Sequence, residues 1–205
     1  MRLHPFYPIF DSADWFARAL PRGVRFAQLR IKEMAAHPLR VEIATCQKLC
    51  DQHGAVLVVN DHWELAIELG CTFVHLGQED LDDADLDAIR RANIRLGIST
   101  HDPAELDRAL SCAPDYVALG PVYPTILKKM KWREQGLDRV TEWKRLVGET
   151  PLVAIGGMSV ERAAGAFAAG ADIVSAVTDI TLNEDPEARI AAWLGETASV
   201  VGASV

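Results

Sequence analysis

The sequence predicts an α/β fold, a single (β/α)8 barrel of the TIM type spanning residues 1–205. Three observations carry that reading. Apolar runs of strand length recur along the chain, each is followed by a stretch with helical spacing, and the pair comes round eight times. Such alternation makes a parallel sheet, and a count of eight favours closure over an open doubly wound sheet.

The strand runs fall at 7–10 (YPIF), 25–30 (RFAQLR), 56–60 (VLVVN), 73–77 (FVHLG), 95–99 (RLGIS), 116–120 (YVALG), 151–155 (PLVAI) and 173–177 (IVSAV). Helical spacing follows each, as in DWFARAL, PLRVEIATCQKLCDQHG, WELAIELG, DLDAIRRAN, PAELDRALSC, VTEWKRLVG, VERAAGAFAAG and PEARIAAWLG. Gly54, Gly70, Gly148 and Gly170 stand where helices stop, the usual left-handed exit. Ser12, Thr141 and Ser159 are expected as N-caps. Trp15, Trp63, Trp143 and Trp193 fall on helices and are expected to pack on the barrel. Connections are short except at 121–137, which is rich in Pro, Lys and Gly and is expected to be mobile.

Composition narrows the function classes. Hydrophobic residues at 49% and charged residues at 24% suit a globular chain with a substantial core. No apolar run approaches the roughly 20 residues of a membrane span, and the first residues lack a signal-peptide core, so a cytoplasmic protein is expected. The four cysteines, Cys46, Cys50, Cys71 and Cys112, form no CxxC pair; Cys46 and Cys50, one helical turn apart, read as small hydrophobes. A net charge of −8 argues against a nucleic-acid partner. Against that acidic background the stretch QLRIK at 28–32 stands out. Strand alternation turns Gln28, Arg30 and Lys32 to one side, which suits a compact anion.

In a barrel of this kind ligands bind at the C-terminal rim. The polar residues collect there: Gln28, Arg30 and Lys32 after the second strand, Asn60 and Asp61 after the third, and His75 through Asp80 at the fourth. Ser99, Thr100 and His101 follow at the fifth, Thr125 and Lys128 after the sixth, Gly156–Gly157 at the seventh, and Val177–Thr178 at the eighth. Arg30 and Lys32 alone would also suit a solvated strand end, and Asp61 and Asp80 alone would also suit helix N-caps. Together the two carboxylates offer the hard oxygen ligation that Mg2+ accepts, completed by water and phosphate. The Gly156–Gly157 pair before Ser159 lets backbone N–H groups approach a phosphate. His75 and His101 are expected to pack, or to hydrogen-bond behind the ligand groups.

At these positions the sequence resembles the thiamine phosphate synthase family. The matching stretches are QLRIK at 28–32, ND at 60–61, HLGQEDL at 75–81, GISTH at 97–101, GPVYPT at 120–125 followed by KK, and AIGG at 154–157. The resemblance implies a transferase that joins 4-amino-2-methyl-5-hydroxymethylpyrimidine diphosphate to a thiazole phosphate and releases pyrophosphate. It implies that Gln28, Leu29, Arg30, Ile31, Lys32, Asn60, Ser99 and Lys128 bind the pyrimidine diphosphate, with Arg30, Lys32, Ser99 and Lys128 catalytic. Asp61 and Asp80 would hold Mg2+, and Thr125, Ile126, Leu127, Gly157, Val177 and Thr178 would line the thiazole phosphate site. The connection at 121–137 would close over the reacting groups. The partners implied are small molecules, with no membrane and no nucleic acid; a homo-oligomer is left open.

Three departures accompany the resemblance. The family's Thr-x-Thr-Lys reads Thr125-Ile126-Leu127-Lys128 here, which removes a hydroxyl. Lys129-Met130-Lys131 adds positive charge. The family's Ser-Ala after the eighth strand reads Thr178-Asp179, and Asp179 would oppose a phosphate unless it turned away or met a cation. Two rival readings remain: a thiazole tautomerase-like isomerase, in which a His replaces Pro121, and a non-catalytic binder of thiamine precursors. The intact QLRIK, ND and GQED stretches favour the synthase over the isomerase.

Overall fold

Eight parallel strands close into a barrel in sequence order, β1 to β8, with β8 returning to β1 through the register Tyr7↔Ser175. The computed structural model describes residues 3–125 and 133–202. The strands are β1 Phe6–Phe10, β2 Phe26–Leu29, β3 Val56–Asn60, β4 Phe73–Leu76, β5 Arg95–Thr100, β6 Tyr116–Leu119, β7 Leu152–Ala154 and β8 Ile173–Ala176. Each expected run is present, trimmed or extended by a residue or two. The helices are α1 Ala13–Ala19, α2 Ala36–His53, α3 Trp63–Glu68, α4 Asp80–Asp83, α5 Leu86–Arg91, α6 Pro103–Ser111, α7 Gly136–Val147, α8 Val160–Ala168, α9 Thr178–Thr181 and α10 Pro186–Gly202. The short helices α4 and α9 were not expected. They lie within the rim loops, and their four residues each carry too little periodicity to read from sequence.

Alternation along the strands divides the core into two layers. Ala27, Leu29, Val59, Val74, Ile98, Val117 and Val174 face outward, where the helices cover them with Phe16, Ile43, Leu106, Trp143 and Trp193. Tyr7, Phe26, Val58, Phe73, Tyr116, Val153 and Ile173 fill the barrel itself. Burying one such large side chain contributes roughly 1.5–3 kcal/mol. The Tyr7 and Phe26 rings stack 4.1 Å apart, and the ring of Tyr116 lies over Gly97, its register partner. The helix tryptophans behave as expected: Trp143 and Trp193 are wholly buried, and Trp15 and Trp63 pack against the outer layer. Cys46, Cys50 and Cys71 are free buried thiols, so the hydrophobe reading of Cys46 and Cys50 holds.

Gly54, Gly70, Gly148 and Gly170 all have positive φ just past their helices. The capping expectations fare less well. Ser12 and Ser159 occupy N-cap positions without a capping hydrogen bond from their side chains. Thr141 is no cap at all: α7 begins five residues earlier, at Gly136, and the Thr141 hydroxyl bonds back to the Leu137 carbonyl and across to that of Ala169. The reason lies at the base of the preceding connection. Gln135 and Gly136 donate backbone N–H groups to the Pro121 and Val122 carbonyls, which starts the helix early. No helix among the described residues is long and apolar enough to cross a membrane.

Candidate active site

Most of the expected site residues that can be described lie at one end of the barrel. Arg30 follows β2 and donates its N–H to the Phe10 carbonyl, 2.8 Å away. Lys32 reaches the next strand: its Nζ stands 2.6 Å from Asp61 Oδ2. Asp61 directly follows β3 and has φ +64, an uncommon conformation for a residue with a side chain but one that Asp tolerates. Its N–H bonds to the His75 carbonyl on β4 at 2.9 Å. Asp80 opens α4 and turns Oδ2 back to accept the Gly77 N–H at 3.0 Å. Neither Asp61 nor Asp80 is the N-cap of its helix; those positions are His62 and Glu79. Lys128, with Ile126 and Leu127, lies outside the described residues.

Gln28, Leu29 and Ile31 sit differently from the expectation. Gln28 is buried inside the barrel, and its Nε2 donates to the Tyr7 hydroxyl at 2.7 Å. Leu29 and Ile31 point outward into the layer beneath the helices, so only their backbones can serve a ligand on the rim. Sequence spacing carried this distinction: alternation that turns 28, 30 and 32 inward must turn 29 and 31 away.

Beneath the rim runs a hydrogen-bonded chain of side chains. Tyr7 and Tyr116 hydroxyls are 2.8 Å apart, Tyr116 lies 2.7 Å from His75 Nδ1, and His75 Nε2 lies 2.8 Å from Ser99 Oγ. The Ser99 carbonyl in turn accepts from Gln78 Nε2 at 2.7 Å. His75 therefore stands behind the expected ligand groups. Burial, with the nearby charges of Arg30 and Lys32 adding to it and Asp80 opposing, lowers its pKa to about 4. Burial pushes both tyrosine phenols up, so they stay protonated. Tyr7 and Tyr116 were missed in the sequence; the legible signal was an inward-facing polar aromatic in β1 and in β6.

A stability test follows from His75. The unfolded imidazole takes up a proton near 6.5, while the native one resists until about 4. Between those values the unfolded state binds more protons, so stability falls as pH drops. From about pH 7 to pH 5 this group is expected to remove about 2 kcal/mol of unfolding free energy. Denaturant titrations at both pH values, with His75→Asn showing a flatter dependence, check it.

On the opposite side of the rim, the connection after β6 pairs with the turn after β7. Val122 and Tyr123 donate to the Ile155 and Gly156 carbonyls at 2.8 and 3.0 Å. A Cβ on Gly157, whose φ is +63, would stand 2.4 Å from the Pro124 carbonyl oxygen, so only glycine lets the two segments meet. Gly157 thus lies beside the chain leading into Thr125. Val177 and Thr178 follow the neighbouring strand, β8, as Gly157 follows β7, and Ala154 pairs with Val174. Asp179 meets a cation: Arg189 donates Nε to Oδ2 and Nη2 to Oδ1, each at 2.8 Å, and Trp193 Nε1 adds a third bond. Its negative charge is thereby engaged beneath the rim. Arg189→Ala would strand a carboxylate whose side chain is 15% exposed. The expected loss is about 1–3 kcal/mol, read as a lower denaturation midpoint.

The two carboxylates are donors of the type a divalent ion accepts. Asp61 and Asp80 are hard oxygen donors that follow adjacent strands, and each has only Oδ2 engaged by the bonds above. Asp61 already attracts one cation, the Lys32 ammonium. No cluster of three or more His, Cys, Asp or Glu suited to a metal occurs among the described residues, so the remaining ligands would have to come from substrate and water.

A family model described as thiamine monophosphate synthase matches residues 7–180. The thiamine-phosphate synthase of Rhizobium etli is 58% identical over 198 residues, 97% of each chain. That of Neisseria meningitidis serogroup B is 45% identical over 188 residues, 92% of each chain. Among solved structures, a thiamine phosphate pyrophosphorylase from Pyrococcus furiosus superposes with a TM-score of 0.85 at 25% identity, covering 96% of both chains. Fold, rim and these likenesses together define a (β/α)8-barrel enzyme of the transferase class. The chain belongs to the thiamine monophosphate synthase family.

Proposed function

We propose that the chain joins a hydroxymethylpyrimidine diphosphate to thiazole phosphate, giving thiamine phosphate and pyrophosphate. The observation that carries the assignment of roles is the Lys32–Asp61 pair at the mouth, beside a His75 that holds Asp61 through its carbonyl and Ser99 through its ring, with Arg30 and Asp80 on the loops that follow β2 and β4. Arg30, Lys32 and Lys128 neutralise the charge that grows on the departing diphosphate. Such preorganised charge is worth most where water is excluded. Asn60 supplies a buried Nδ2 donor that has no protein partner among the described residues, which suits a ligand acceptor. Asp61 and Asp80 would hold Mg2+, which when bound would supply further charge neutralisation on the leaving group. Lys32 is shared between Asp61 and the diphosphate.

Once the carbon–oxygen bond ionises, the aminopyrimidine ring stabilises the methylene cation and the thiazole nitrogen attacks it. That lone pair carries no proton, so no general base is required. His75, neutral and buried, is accordingly not asked to take one. Thr125, Ile126, Leu127, Gly157, Val177 and Thr178 hold the thiazole phosphate, largely through backbone groups. The isomerase reading finds no support at Pro121, which is buried against Gly156 and offers no titratable group.

Incubation of the purified chain with both substrates and Mg2+ tests the proposal. Pyrophosphate and thiamine phosphate should appear in equal amounts, and chelation should stop both. Absence of thiamine phosphate under those conditions overturns it.

A further inference from the structure

We infer that Tyr7, Tyr116 and His75 leave the Ser99 hydroxyl proton free to be donated to the ligand, where it reads a diphosphate oxygen. This rests on the synthase reading for the identity of the ligand, but the polarity of Ser99 follows from the protein alone. Five side chains from five strands form the chain: Gln28, Tyr7, Tyr116, His75 and Ser99, with successive contacts of 2.7, 2.8, 2.7 and 2.8 Å. The first four are buried.

Polarity enters at Gln28. Its amide nitrogen is a donor only, so the Tyr7 oxygen accepts. The Tyr7 proton then goes to the Tyr116 oxygen, and the Tyr116 proton to His75 Nδ1. A neutral imidazole whose Nδ1 accepts carries its proton on Nε2, where it donates to Ser99 Oγ. The Ser99 proton is therefore not spent on His75, and no other protein partner takes it among the described residues. In the reverse arrangement Ser99 would donate to Nε2, and the Tyr7 proton would face only the Gln28 amide nitrogen. A buried hydroxyl left that way disfavours the reverse arrangement by roughly 10-fold or more. A hydroxyl whose proton is held free in this way is suited to an anionic oxygen.

Nitrogen-15 NMR of the histidine-labelled full chain, without substrate and at neutral pH, reads the polarity directly, with His75→Gln assigning the signals. His75 should show a bare Nδ1 and a protonated Nε2. Tyr116→Phe, which removes the donor to Nδ1, and Tyr7→Phe, which cuts the link to the Gln28 amide, should each give a mixture of tautomers. A proton on Nδ1, or on both nitrogens, overturns the inference. Calorimetry supplies the ligand arm. Ser99→Ala should weaken binding of inorganic pyrophosphate with Mg2+ by about 10-fold, and that of unphosphorylated hydroxymethylpyrimidine by less than about twofold. The opposite split overturns the assignment to diphosphate. Failure of the synthase reading would leave the tautomer result standing, so the two are separable.

Discussion

Asp80→Ala is expected to lower Mg2+-dependent kcat by roughly 10²–10³-fold or more while the barrel stays folded. The carboxylate opens a four-residue helix on the rim, away from both core layers, and among the described residues it accepts a hydrogen bond from the Gly77 N–H. Asp80→Asn separates the two roles. The amide oxygen still accepts from Gly77, so the turn is kept, but the charge is gone. Steady-state rates across a Mg2+ titration, with circular dichroism as the check on folding, distinguish the outcomes. Full turnover in the Asn variant would refute the metal role of Asp80.

The second large effect is on the core. Gly97→Ala places a Cβ 2.1 Å from Tyr116 Cζ and 2.5 Å from its hydroxyl. That ring is fully buried among Tyr7, Phe26 and Phe73, so it has no free direction in which to retreat. Overpacking at such a contact falls at the upper end of the usual range, about 3 kcal/mol, or a drop of about 6–12 °C in Tm for a chain of this size. Any displacement of Tyr116 also pulls on His75 and so on Ser99, which makes loss of turnover in the surviving folded fraction a further expected result. A Gly97→Ala chain that melts with the native one would show that the barrel interior has room the structure does not suggest. Gly97 did not stand out in the sequence, because the need for glycine comes from a tyrosine on the next strand.

The elements themselves were legible because strands and helices impose periods of about 2 and 3.6 on apolar residues over several positions. The boundaries were less so. The early start of α7 depends on backbone bonds from Gln135 and Gly136 to a segment fourteen residues upstream. The rim residues were legible for a topological reason: in a parallel barrel every strand ends at the same mouth, so polar residues at successive strand ends are neighbours whatever their separation in sequence.

The sequence by itself determined the barrel, the end at which the charges gather, and the family, since each follows from order and spacing along the chain. Tertiary structure alone decided which of those polar groups serve each other before they serve a ligand. Gln28 turned inward to Tyr7, Asp179 was taken up by Arg189, and His75 was held between Tyr116 and Ser99. The physical reason is that a hydrogen bond or ion pair is a matter of a few tenths of an ångström between atoms distant in the chain. No period in the sequence encodes that distance; only the closed barrel sets it.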